Sequence, residues 1–140
     1  MYSRQETIQI KQQFWTNFGR YMKPVPFADL KNSWINYKTG VPHIYFRMRA
    51  EKDHAYIGIE LNDPSPNTRH EQMEQFLQLK TLLHSISGKE WSWEGERIYQ
   101  EINGVNVMKE SDWPALISFL KAGIIALDAF WEAVKFGFQP

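Results

Sequence analysis

The run from Asp112 to about Phe136 constrains this chain most. Its polar residues, Ser118, Lys121, Asp128, Glu132 and Lys135, fall with Ile125 at alternating steps of three and four. That spacing marks one narrow stripe of an α-helix. The remaining positions are apolar or small: Leu116, Ile117, Phe119, Leu120, Ile124, Ala126, Leu127, Phe130, Trp131 and Val134. A helix at a protein surface is usually apolar over a little more than a quarter of its circumference. Here the apolar arc exceeds half, so the helix must be covered on two sides. About 20 residues suffice to cross a bilayer, but Lys121, Asp128 and Glu132 would each cost roughly 2.5–3.5 kcal/mol near the helix centre. The pattern therefore predicts a central helix with one wet stripe and no membrane. Ser111 and Asp112 predict its N-cap and Pro114 its first turn.

A length of 140 residues predicts a single domain, 1–140, with its own core. Lys plus Arg equals Asp plus Glu at 16 each, so no net field favours nucleic acid or an anionic membrane, although a local patch remains open. The six Trp and nine Phe call for a large core or an apolar interface. Without cysteine there is neither disulfide framework nor thiolate chemistry. The N-terminal residues lack the apolar region of a signal peptide, which predicts a cytoplasmic location.

Residues 4 to 22 predict a half-buried helix with Ile8, Trp15, Phe18 and Met22 on its apolar face and Phe14 and Tyr21 beside them. Pro24 and Pro26 end it. Phe27 to Pro42 reads as a linker, closed by the turn Lys38-Thr39-Gly40. Two strands follow, His43–Ala50 and Ala55–Leu61. Their apolar sets share a face only if Ala50 pairs with Ala55 around Glu51-Lys52-Asp53-His54. A helix reaching about Ser87 buries Met73, Phe76, Leu77, Leu79, Leu83 and Ile86, and Gly88 closes it. A second hairpin sets Glu94 opposite Arg97 and Trp93 opposite Ile98 around Gly95-Glu96. The order helix, hairpin, helix, hairpin, helix predicts an α+β fold. Its antiparallel sheet is built from two hairpins, with three helices on one face and the C-terminal helix packed on the sheet.

From Tyr56 onward the chain resembles a known family. The carriers are the strand Ile57-Gly58-Ile59-Glu60-Leu61, a helix ending at Gly88, the run Trp91-Ser92-Trp93-Glu94, the pair Arg97-Ile98, and Asp112-Trp113-Pro114 opening a long terminal helix. Together they resemble the bacterial and archaeal family catalogued as domain of unknown function 4268, over roughly Phe14 to Phe136. The resemblance implies a domain often found at the C-terminal end of longer nuclease-like or restriction-associated proteins. It transfers no catalytic residue.

Sites for chemistry are sparse. A metal-dependent nuclease of the Asp…Glu-x-Lys type needs a lysine beside its acids, and Glu60-Leu61-Asn62 offers asparagine there. Lys52 sits in a turn at the wrong end of the hairpin. His70-Glu71-Gln72-Met73-Glu74 begins like a zinc-protease helix but lacks its second histidine, and an exposed first helical turn explains it. His43, His54 and His84 have no triad neighbours. The expectation is no catalytic residue, no metal and no cofactor.

The outward sheet face is the best candidate site, showing Tyr45, Arg47, Arg49, Tyr56 and Glu60 from one hairpin and Arg97, Tyr99 and Glu101 from the other. Arginine beside tyrosine suits base stacking or phosphate binding. The same mixture also forms ordinary solvent-facing sheets. Gly58 permits close approach and is expected to make room for Arg47 across from it. The tryptophans Trp91, Trp93, Trp113 and Trp131 are expected in the core. Three functional readings follow. The first is a non-catalytic module that forms a homodimer or docks a protein partner through apolar surface beside the last helix. The second is a nucleic-acid accessory domain using the Arg/Tyr face, and the third is a site for a small anionic ligand.

Overall fold

The computed structural model describes residues 2–22 and 35–138. The closure of the first helix at Pro24 and Pro26, and the passage Phe27–Trp34, lie outside the described residues. The described elements are α1 (Arg4–Met22), β1 (Asn36–Lys38), β2 (Ile44–Ala50), β3 (His54–Leu61), α2 (Pro66–Gln78), α3 (Lys80–Ser87), β4 (Ser92–Glu94), β5 (Arg97–Asn103) and α4 (Trp113–Val134). Short 3-10 turns, Glu110–Asp112 and Lys135–Gly137, flank α4. The fold is α+β, with an antiparallel sheet in the order β1-β2-β3-β5-β4.

The hairpin registers follow the apolar alternation. Ala50 pairs with Ala55, Met48 with Ile57 and Phe46 with Ile59. Glu94 pairs with Arg97 and Trp93 with Ile98. The two hairpins join edge to edge through β3 and β5, with Ile59 opposite Ile98 and Gly58 opposite Tyr99.

Two features correct the expected layout of three helices and two hairpins. First, Asn36–Lys38 is a strand, not linker. It adds to the free edge of β2 and turns Tyr37 inward, where the ring stacks on Phe46 at 6.0 Å. Second, the helix expected to reach Ser87 breaks at Leu79, whose φ of −101° and ψ of 6° leave the helical region. The break re-aims α3 so that buried Leu83 packs beside α4.

The buried line of α1 is Phe14, Phe18 and Met22, continued by half-buried Lys11. Ile8 and Tyr21, expected near the core, are exposed. Lys11 can occupy the inward line because its ammonium pairs with Glu51 while its stem covers apolar surface. Leu77, also expected inside, is exposed.

Helix α4 lies across β2 and β3 between α1 and α3. Its buried residues are Trp113, Leu116, Ile117, Leu120, Gly123, Ile124, Ala126, Leu127, Phe130 and Trp131. It is long and apolar enough, by length and composition, to cross a membrane, but these residues, Gly123 and Ala126 apart, belong to the core cluster beneath the sheet. Its two ends are pinned by indoles. Trp113 donates to the carbonyl of Val107 at 2.7 Å and meets Phe14 edge-on at 5.6 Å. Trp131 donates to the carbonyl of Thr39 at 2.8 Å and meets Phe46 edge-on. Trp91 is buried as well, and Trp93 is half-buried against the same core.

The start of α4 differs from a simple cap. Pro114 sits in the first turn as expected, but the Asp112 carboxylate accepts from the amide of Asn106 at 3.0 Å instead of capping the helix. No charged side chain among the described residues is fully buried, so the polar stripe of α4 faces outward.

Candidate interaction surfaces

The helices pack beneath the sheet, and its outer face carries the expected Arg/Tyr constellation. The alternation of β2, β3 and β5 brings Tyr45, Arg47, Arg49, Tyr56, Glu60, Arg97 and Tyr99 to that one face. Glu60 is its hub. One carboxylate oxygen lies 3.0 Å from Arg47 Nε. The other accepts from the Tyr56 hydroxyl at 2.7 Å and lies 3.8 Å from Arg49. Arg47 also donates to the Asn36 side chain at 3.0 Å.

Tyr56 reaches Glu60 by lying along its own strand, over Gly58. A Cβ at Gly58 would come within 2.8 Å of the Tyr56 hydroxyl, the Ile98 carbonyl oxygen and Tyr99 Cβ. Gly58 thus makes room for Tyr56 and for the close approach of β5, not for Arg47. The Tyr99 ring stacks on Tyr56 at 5.4 Å, and the guanidinium groups of Arg49 and Arg97 cover it at 5.2 and 5.6 Å. Tyr56 is consequently only 1% exposed although its strand position points outward. Burial, reinforced by the hydrogen bond to Glu60, pushes its hydroxyl pKa well above the ordinary tyrosine value. Tyr56→Phe leaves Glu60 without this donor and costs about 1.5 kcal/mol in urea unfolding. In an alkaline ultraviolet titration the wild type shows one more late-ionising tyrosine than the variant.

At the far side of the face, Arg97 lies 4.3 Å over the Tyr99 ring and 3.8 Å from Glu94, which also accepts from the Tyr99 hydroxyl at 2.8 Å. The hydrogen bond to Glu94 raises the Tyr99 pKa. A shallow groove of about 430 Å³ runs between Arg49 and Arg97, with Glu60, Glu94 and Glu96 along it. Each of the three arginines has a carboxylate within 4 Å, and arginine already occupies the tyrosine faces that bases would stack upon.

Among the described residues no group of three or more His, Asp or Glu side chains is placed to hold a metal ion. His70 lies 3.8 Å from Glu74 on the exposed first turns of α2. His43 lies 3.3 Å from the Asn62 side chain, and His54 lies 2.7 Å from Asp53. His84 lines a pocket of about 300 Å³ with Lys80, Thr81, Leu83, Glu90, Trp91 and Trp93.

The second surface is the outward stripe of α4. Ala115, Ser118, Ala122, Ile125, Ala129 and Glu132 are exposed, at alternating steps of three and four, and Phe136 is exposed in the 3-10 turn that follows. Phe136 is 74% exposed and Ile125 38%. Lys121, Asp128 and Lys135 form one flank of this stripe, half-buried. Glu132 and Lys135 pair at 3.1 Å. Burial and the nearby Glu132 hold the Asp128 carboxyl above the ordinary range, with Lys135 opposing. The polar spacing of the sequence located this stripe. It did not show that three alanines share it or that an exposed phenylalanine follows.

The family model described as domain of unknown function (DUF4268) matches residues 10–135. The chain belongs to this family. In this DUF4268 domain the matched span runs from the middle of α1 to the end of α4, so the whole described sheet and both surfaces, Phe136 excepted, fall within the matched residues. No curated protein and no solved structure matches the chain.

Proposed function

We propose that this DUF4268 domain is a cytoplasmic, non-catalytic interaction module that docks a protein through the outward stripe of α4. The observation that carries the reading is the chemistry of that stripe: Ile125 stands exposed among alanines along a 22-residue helix, and Phe136 stands exposed in the turn just beyond it. Small side chains let a second helix approach to about 8 Å, and an exposed apolar strip rimmed by charge is the usual form of a docking surface. A photo-crosslinking amino acid placed at position 125 is expected to trap a protein in the native cell, whereas one at position 45 on the sheet face traps none. Trapping from position 45 alone, or from neither position, overturns the proposal.

One observation favours a second reading, an accessory domain for nucleic acid in a DNA-defence or nuclease-related system, or a site for a small anionic ligand. Glu60 serves both Arg47 and Arg49, so that cluster holds a surplus positive charge, and the Arg49 side chain is 46% exposed. On this reading single- or double-stranded nucleic acid binds at low salt with a negative log–log salt slope, weakened by Arg49→Ala and Arg97→Ala. A thermal shift with millimolar nucleotides or carboxylates tests the small ligand. Absence of binding in both rejects it.

A further inference from the structure

We infer that the occupant of the α4 stripe is a second copy of this chain, laid antiparallel so that Lys121 of each copy meets Asp128 of the other. The inference rests on the docking proposal above and names its partner. Three observations carry it.

The first is the charge left over on the flank. Glu132 and Lys135 satisfy one another, but neither Lys121 nor Asp128 forms an ion pair with another described residue, and both are half-buried. They stand two helical turns apart on the same side of the stripe.

The second is symmetry. When two identical helices pack antiparallel about a two-fold axis perpendicular to them, the same flank of each helix comes together. An axis midway between Lys121 and Asp128, beside Ile125, then sets each lysine level with the opposite aspartate, and does so twice. In a parallel pair the two residues fall on opposite edges of the seam and never meet. The pairing is therefore specific to one orientation, which is how flanking charges select helix partners.

The third is what the same axis does to the apolar residues. Ile125 falls beside the axis and meets its own equivalent, with Ala122 and Ala129 on either side to let the backbones close. The same axis turns the C-terminal end of the helix, with exposed Phe136 in the 3-10 turn beyond Val134, toward the exposed Pro114–Ala115 end of the other copy. The seam repeats at three and four, as a helix pair requires.

Sedimentation equilibrium on the full chain tests this, with circular dichroism confirming that each variant is folded. The wild type is expected to associate to a dimer. Lys121→Asp and Asp128→Lys each set like charges opposite one another twice and weaken the dimer about tenfold or more. The double reversal Lys121→Asp/Asp128→Lys restores it to within about threefold. Because the chain has no cysteine, Ile125→Cys gives a second readout that does not depend on the charged residues. Mild oxidation should link two copies at position 125. Ala115→Cys, about 15 Å along the helix from the axis and so about 30 Å from its equivalent, should not link.

A wild type that stays monomeric at millimolar concentration overturns the inference, as do single reversals without effect or a double reversal weaker than either single. A monomer whose position 125 nevertheless traps a different protein in the cell loses the self-pairing and keeps the docking function. A monomer that traps nothing loses both.

Discussion

Gly58→Val removes about 3 kcal/mol of stability in urea unfolding, a large share of what a domain of this size holds. The cause is local and lies in the backbone. A Cβ at this position meets the Ile98 carbonyl oxygen, the Tyr56 hydroxyl and Tyr99 Cβ, each at 2.8 Å. The Tyr56 ring could swing away, at the cost of its bond to Glu60. The Ile98 carbonyl and Tyr99 Cβ cannot, because they belong to β5, which is paired to β3 at this point. Relief requires the two hairpins to part at the centre of the sheet. Adding Tyr56→Ala to the Gly58→Val chain should therefore recover little. A loss below about 1 kcal/mol, or full recovery in the double variant, would show that only the tyrosine resists, and the close approach of β5 would be wrong.

The second large effect concerns the seat of α4. Gly123 faces Ile57 of β3, and a Cβ there would lie 2.8 Å from Ile57 Cγ2 and 2.9 Å from Cδ1. Gly123→Ala gains helix propensity, since alanine is favoured over glycine by roughly 0.8–1 kcal/mol. It also overfills a closed contact, which typically costs 1–3 kcal/mol. Gly123→Ala alone is expected to lose about 2 kcal/mol. Ile57→Ala alone opens a cavity in the core and loses about 3 kcal/mol. Together they lose at least about 1 kcal/mol less than the sum, because the new methyl enters the vacated space and the propensity gain becomes visible. Additive losses would mean that α4 does not rest on β3 at this glycine.

Much of this arrangement was legible in particular residues. The spacing of Lys121, Asp128 and Glu132 marked the wet side of α4, and the alternation in Ile44–Ala50 and Ala55–Leu61 admitted one register. What escaped the sequence did so for physical reasons. Asn36–Lys38 is too short to show alternation and exists by pairing with the edge of β2. The break at Leu79 carries no glycine or proline, so nothing local announces it; beyond it α3 packs on α4. The buried line of α1 passes through Lys11, which a hydrophobic pattern counts as polar and which can turn inward only because Glu51 is there. The candidate sheet face was legible as a set of residues, but not as a surface. The strand alternation sets Tyr56 on the outer face, yet its cover depends on Gly58 two residues on and on Tyr99 from another hairpin. A tyrosine two positions before a strand glycine is the signal that points to such a folded-down ring.

The outward stripe of α4 is the claim on which the docking and pairing proposals both depend. A thiol-labelling scan tests it most directly, since the chain supplies no cysteine of its own. Single cysteines at positions 118, 122, 125 and 129, in dilute protein, are expected to react at nearly the rate of a free thiol. Those at 120, 124 and 127 should be slowed at least about a hundredfold, reacting only through opening of the fold. Equal rates around the helix, or protection at 125 with rapid reaction at 124, would contradict the orientation of α4 and every inference drawn from its outer face.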